Sequence, residues 1–96
     1  MPAYLYASGE VTDPAASELY RQQVPALIAR HGGRFLVRGG AAQRLEGEGE
    51  PPSRQVLLEF PDMAHLQALY KDPDYAPLIA LRQRASTLTL IAIEGV

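Results

Sequence analysis

HGGRFLVRGG, residues 31–40, holds a helix stop, a short strand and a second glycine pair. Glycine reaches positive φ without steric cost, so Gly32 and Gly33 just past a periodic segment mark a helix C-terminus. His31 then falls in the last helical turn. Arg34 to Arg38 reads as a strand. Strict alternation puts Phe35 and Val37 on one face and Arg34, Leu36 and Arg38 on the other. Gly39 and Gly40 release the chain into a loop.

Upstream, Asp13-Pro14 predicts a helix start, with Asp as N-cap and Pro at the first helical position. Ala16, Leu19, Tyr20, Val24, Leu27, Ile28 and His31 follow at three- and four-residue steps, an amphipathic stripe. Pro25 inside that stripe predicts a kink or short break near Arg21 to Pro25. Ahead of the helix, Ala3 to Ala7 reads as a strand, with Tyr4 and Tyr6 on one face.

Downstream, Ala41 to Arg54 forms a loop around the flexible, acidic run GEGEPP at 47–52. The bland reading is a solvated hairpin tip; loops of this length also carry function. Arg54 to Phe60 is the third strand, with Val56, Leu58 and Phe60 on one face. Asp62 is the expected N-cap of a second helix. Asp72-Pro73 is read as stopping that helix and opening another. Thr87 to Ile93 is the last strand.

The order is strand, helix, strand, strand, helix in two pieces, strand. It predicts one α+β domain over residues 1–96, a ferredoxin-like β-α-β-β-α-β sandwich with helices on one sheet face. The other sheet face, bearing large apolar side chains, needs a cover. Pairing two sheets across a two-fold axis supplies it, so a homodimer is expected.

Composition narrows the function classes. Of 96 residues, 47% are hydrophobic and 21% charged, and the net charge is −2. Nothing basic dominates, which disfavours nucleic acid. No apolar run approaches the ~20 residues of a membrane span. No secretory leader is evident, and a cytoplasmic location is expected. The absence of cysteine excludes thiolate catalysis and cysteine-ligated metal. Neither common phosphate loop occurs, the two histidines lack metal-ligand spacing, and no serine sits in a nucleophile elbow. No cofactor is implied; any enzymology would be cofactor-free or substrate-assisted.

Candidate site residues follow from side-chain chemistry. Histidine is the residue type most often used for acid–base work, which makes His31 a candidate, although a histidine there also caps a helix. His65 reads as a surface residue. Arg38 suits an anion clamp, or a cross-strand pair with Glu59 if the register allows. Arg82 and Arg34 are further anion-binding candidates, each also readable as a surface or interface charge. Tyr20, Tyr70 and Tyr75 suit a pocket wall that offers a hydroxyl, or plain core.

The blocks HGGRFLVRGG (31–40), RQVLLEFP (54–61) and YKDPDYxxLxxLR (70–82), with the tyrosine-rich opening strand and closing Glu-Gly, resemble the domain-of-unknown-function family 1330. That resemblance implies a ferredoxin-like fold in the dimeric α/β-barrel superfamily. The superfamily includes small monooxygenases, isomerases, dehydratases, haem-dependent enzymes and proteins without known activity. A shared fold does not fix a reaction.

Two functions stay open. One is a small-molecule-binding protein or cofactor-independent enzyme for a small, acidic or aromatic organic compound, with His31 as acid or base, Arg38 as anion clamp, and Tyr20, Glu59, Tyr70, Tyr75 and Arg82 as ligand contacts. The other is a non-catalytic structural or regulatory homodimer.

Overall fold

The computed structural model describes residues 1–96. Strands β1 (Ala3–Gly9), β2 (Arg34–Arg38), β3 (Arg54–Phe60) and β4 (Thr89–Glu94) form one antiparallel sheet in the order β2-β3-β1-β4. Helices α1 (Pro14–Arg30), α2 (Met63–Lys71) and α3 (Ala76–Ala85) complete the α+β sandwich.

The helix ends obey the local chemistry. Asp13 Oδ1 accepts from Ala16 N at 3.2 Å, with Pro14 in the first turn of α1. Asp62 Oδ1 likewise accepts from His65 N at 2.9 Å. At the C-terminus of α1, Gly32 N donates to Ala29 O and Gly33 N to Ile28 O, both at 3.0 Å, with Gly32 at φ 77°. This is the double closure that a glycine just past a helix permits. A Cβ on Gly33 would lie 2.6 Å from the Phe60 ring, so the turn also needs glycine for close approach.

Of the two expectations at Pro25, the short break does not occur: α1 continues through the proline as one helix. The buried side chains on both sides of the proline, Val24, Leu27 and Ile28, hold the turn in place. Ser17 is buried on this helix whereas Leu19 is half exposed, so the inward face is turned slightly from the expected stripe.

The reading of Asp72-Pro73 as a helix start is corrected. Asp72 is the C-cap of α2, and α3 begins only at Ala76. The Asp72 groups are used in the turn: Oδ1 accepts from Asp74 N at 2.9 Å and the carbonyl from Tyr75 N at 2.9 Å. Asp72 Oδ2 reaches back to α1, meeting His31 Nε2 at 2.7 Å and Arg30 Nη1 at 3.3 Å. The last strand starts at Thr89, later than expected, because Thr87 N donates to Glu10 O and Ser86 bridges Val11.

Ala3, Leu5, Leu58 and Phe60 of the sheet bury against Val24, Leu27, Ile28, Leu66, Leu69 and Leu78 of the helices. At about 25 cal/mol per Å², this apolar burial is the main source of stability. The opposite sheet face has no helix. It carries Tyr4, Tyr6, Leu57, Ile91 and Ile93, with Ile91 paired to Tyr6 and Ile93 to Tyr4 across β1 and β4. Residues 41–53 form an exposed irregular loop, part of which lines a groove with Tyr6, Val37 and Leu57 of this open face. Arg44 ties the loop to itself through the carbonyls of Gly49 and Glu46.

Candidate functional site

Alternation along β2 fails at one residue, and that failure shapes the site. Arg34 faces Glu59 and Phe35 faces Leu58, but Val37 faces Leu57 and Arg38 faces Val56. Leu36 is the extra residue of a β-bulge. Phe35 and Arg38 therefore share the helix-facing side, and the Arg38 guanidinium lies 4.5 Å from the Phe35 ring centroid. The strict alternation expected for this strand would have sent Arg38 to the open face.

Arg38 joins a cavity of about 50 Å³ between the sheet and the helices. Its lining includes four arginines (Arg21, Arg38, Arg54 and Arg82), with Tyr20, Tyr75, Ser17 and Ser86 among apolar residues, and no Asp, Glu or His. Arg82 is 5% exposed. Its Nη1 donates to Tyr75 Oη at 2.8 Å, and no carboxylate lies within ion-pair distance of it. Tyr75 Oη meets Tyr20 Oη, also at 2.8 Å.

Burial pushes the Tyr75 phenol far above its ordinary range, so it stays neutral. Burial alone would lower the pKa of Arg82, but the oxygens of Tyr75 and Tyr20 outweigh it and the guanidinium stays charged. At Arg54 burial acts first and the charges of Arg21 and Arg38 act second; all three lower its pKa. The cavity is thus a region of unbalanced positive charge. Arg21 has an outward partner in Glu18. Arg38 Nη2 donates to the Arg21 carbonyl at 3.1 Å.

The structure brings Tyr20, Arg38, Tyr75 and Arg82 together at this cavity. It does not bring His31, Glu59 or Tyr70 there. His31 pairs with Asp72 at the α1 C-terminus. Glu59 pairs with Arg34 at 2.8 Å, because the register sets it opposite Arg34 and not Arg38. Tyr70 packs edge-on to Tyr75 with ring centroids 5.9 Å apart, from outside the cavity lining. His65 is half exposed and bonded to Asp62.

Ser17, Arg21 and Arg54 also line the cavity although none is among the candidate site residues above, and the sequence does carry signals for them. Ser17, Tyr20, Arg21, Val24 and Ile28 fall on one helical face, and Arg54 shares strand parity with Val56, Leu58 and Phe60. No cluster of three metal-ligating side chains forms, and no helix is long and apolar enough to cross a membrane.

The fold defines the class first: a ferredoxin-like α+β protein, here with an arginine–tyrosine cavity between sheet and helices. The chain belongs to the family described as Domain of unknown function (DUF1330), which matches residues 2–96. Among solved structures it is similar to RPA0582, a protein of unknown function from Rhodopseudomonas palustris. Identity is 20%, coverage is 99% of this chain and 82% of that one, and the TM-score is 0.76. It is also similar to a dimeric ferredoxin-like protein of unknown function from Jannaschia sp. CCS1, at 15% identity, 99% and 100% coverage and a TM-score of 0.66. A third is SnoaB, a cofactor-independent oxygenase from Streptomyces nogalater, at 15% identity, 99% and 92% coverage and a TM-score of 0.63. These likenesses show the fold. No curated protein matches the chain.

Proposed function

We propose that the chain assembles as a homodimer through the open face of its sheet, and that each protomer binds a small organic anion in the arginine-lined cavity. It would serve as a small-molecule-binding protein or as a cofactor-independent enzyme. The observation that carries the ligand reading is Arg82: a buried guanidinium beside a cavity, with tyrosine hydroxyls for neighbours and no counter-charge. An unpaired buried charge costs several kcal/mol, which an anion in the cavity would offset.

Arg38 and Arg54 add two more cations at the same cavity. Arginine suits a carboxylate because its planar fork donates two parallel hydrogen bonds. The lining offers no histidine or carboxylate base, so the cavity suits binding and stabilising negative charge better than abstracting a proton. His31 is assigned to holding the Asp72 turn. SnoaB shares the fold and works without a cofactor, but its reaction is not carried over at 15% identity. The assembly is supported by the uncovered Tyr4, Tyr6, Ile91 and Ile93 and by the dimeric state of the neighbour from Jannaschia.

The test is native mass spectrometry, first without additions and then with short monocarboxylates. A dimer that takes up the acid, and whose Arg82→Gln variant does not, is the expected result. A monomer overturns the assembly. A dimer that takes up no acid overturns the ligand and leaves the structural homodimer.

A further inference from the structure

We propose that the occupant is a short acid bearing an oxygen next to its carboxylate, a 2-oxo or 2-hydroxy acid, and that Tyr20 is the residue that reads that second oxygen. The inference rests on the anion reading above and goes further, from charge to chemical class.

Hydrogen-bond direction supplies the argument. A guanidinium only donates, so Tyr75 Oη accepts from Arg82 Nη1. Tyr75 is 2% exposed, and its own hydrogen must find an acceptor inside. Tyr20 Oη, 2.8 Å away, is that acceptor. The Tyr20 hydrogen is then left to point elsewhere, and Tyr20 lines the cavity. The run Arg82 to Tyr75 to Tyr20 is a chain of donors that starts at a fixed positive charge. Each bond polarises the next, so the last hydroxyl is a stronger donor than an isolated phenol. Ser17, buried at the same wall, adds a second hydroxyl to the cavity.

The cavity therefore offers two kinds of recognition. Guanidinium groups from Arg38, Arg54 and Arg82 suit a carboxylate. The polarised Tyr20 hydroxyl suits a carbonyl or hydroxyl oxygen. A plain fatty acid would satisfy the first and set a methylene against the second, leaving a donor without a partner.

Size sets the rest. A cavity of about 50 Å³ has room for about three to five waters. At roughly 30 Å³ of liquid volume per water, that corresponds to an acid of about three or four carbons.

The experiment is calorimetric titration of the full chain with pyruvate, lactate and propionate, all of three carbons. In the wild type, pyruvate and lactate should each bind about five- to tenfold tighter than propionate, the usual worth of one hydrogen bond. In Tyr20→Phe that preference should fall to about one. Equal wild-type affinities for the three acids would overturn the inference and leave the anion reading intact. So would a Tyr20→Phe variant that loses propionate and pyruvate alike, since Tyr20 would then hold the carboxylate itself. Failure of all three acids to bind would overturn the anion reading too. The wild-type ratios stand whether or not the variant folds.

Discussion

Arg38 Nη2 donates to the carbonyl of Arg21, the very carbonyl that Pro25 leaves without a helical partner. Residue 25 would normally supply an N–H to the carbonyl four positions back, and proline has none. A strand arginine takes its place at 3.1 Å. One side chain thereby repairs the helix and is held at the cavity. The proline, which by itself weakens α1, fixes where a cation sits.

Replacing Pro25 with Ala tests this link. Proline inside a helix costs ~3 kcal/mol relative to alanine. Losing the Arg38 hydrogen bond gives back about 1 kcal/mol, and the freer unfolded chain up to about 1 kcal/mol more. The expected net is a gain of ~1–2 kcal/mol, read as a rise in Tm of roughly 4–8 °C per kcal/mol. The released Arg38 should weaken carboxylate binding at the same time. A variant that melts lower, or binds propionate as the wild type does, would show that Arg38 is held by other contacts.

Arg82→Met separates the two costs at the cavity floor. The substitution removes a buried charge and keeps a side chain of similar length, while Tyr75 keeps Tyr20 as a partner. Replacing buried charges by apolar groups is commonly neutral or stabilising by ~1–4 kcal/mol. The ligand-free Tm should therefore hold or rise, and the upward shift that short carboxylates give the wild type should vanish. Thermal melts with and without propionate read both effects. A lower Tm together with a preserved ligand shift would mean that Arg82 is a structural cation.

The balance between what the sequence shows and what it hides turns on a few residues. Asp13, Asp62 and the Gly32-Gly33 pair announce helix ends through side-chain and backbone hydrogen bonds between near neighbours in the chain. From those ends the element order and the ferredoxin-like topology follow. The bulge at Leu36 does not announce itself, because it arises where β2 meets β3, and a pattern along one strand cannot register it. It turned Arg38 from the open face to the cavity. The same limit hid the Arg34–Glu59 pairing. Asp72-Pro73 misled for a different reason: its side chain has partners on α1 and in the next turn that outcompete a local N-cap. Arg82 reads as an anion-binding candidate or as a surface or interface charge, and only the tyrosines packed around it explain its burial. Ser17, Arg21 and Arg54 were legible from helical spacing and strand parity.

Asp72 gives an acid-dependent part of stability. The hydrogen bond from His31 is the main reason its carboxyl titrates below the ordinary 3.8, with Asp74 N and Arg30 adding to it. A carboxyl whose folded value is lowered binds its proton less readily when folded than when unfolded. Its contribution is therefore complete above about pH 3.8 and is lost as pH falls through the lowered folded value. Asp72→Asn should leave a smaller loss of Tm between pH 5 and pH 3 than the wild type shows. Glu10, Glu18 and Asp62 are lowered as well, so some acid dependence remains in the variant and the difference between the two curves is the readout. Superimposable curves would mean that the Asp72–His31 contact adds nothing to folding.

The open sheet face makes the last prediction. Ile91 and Ile93 are each 48% exposed in the protomer and stand beside Tyr6 and Tyr4 across the β1–β4 pairing. Lysine at both positions adds charge where the protomer itself has no core to lose, so the fold should survive. In a paired-sheet dimer the same two lysines would be desolvated against their two-fold copies, an arrangement that costs several kcal/mol. Sedimentation velocity on Ile91→Lys/Ile93→Lys should show a monomer whose far-ultraviolet circular dichroism matches the wild type. A dimer that persists would move the interface to another surface. A variant that unfolds would show that the protomer depends on its partner for stability, as obligate dimers do; the single Ile93→Lys change, nearer the strand end, then weakens the dimer enough to measure its concentration dependence.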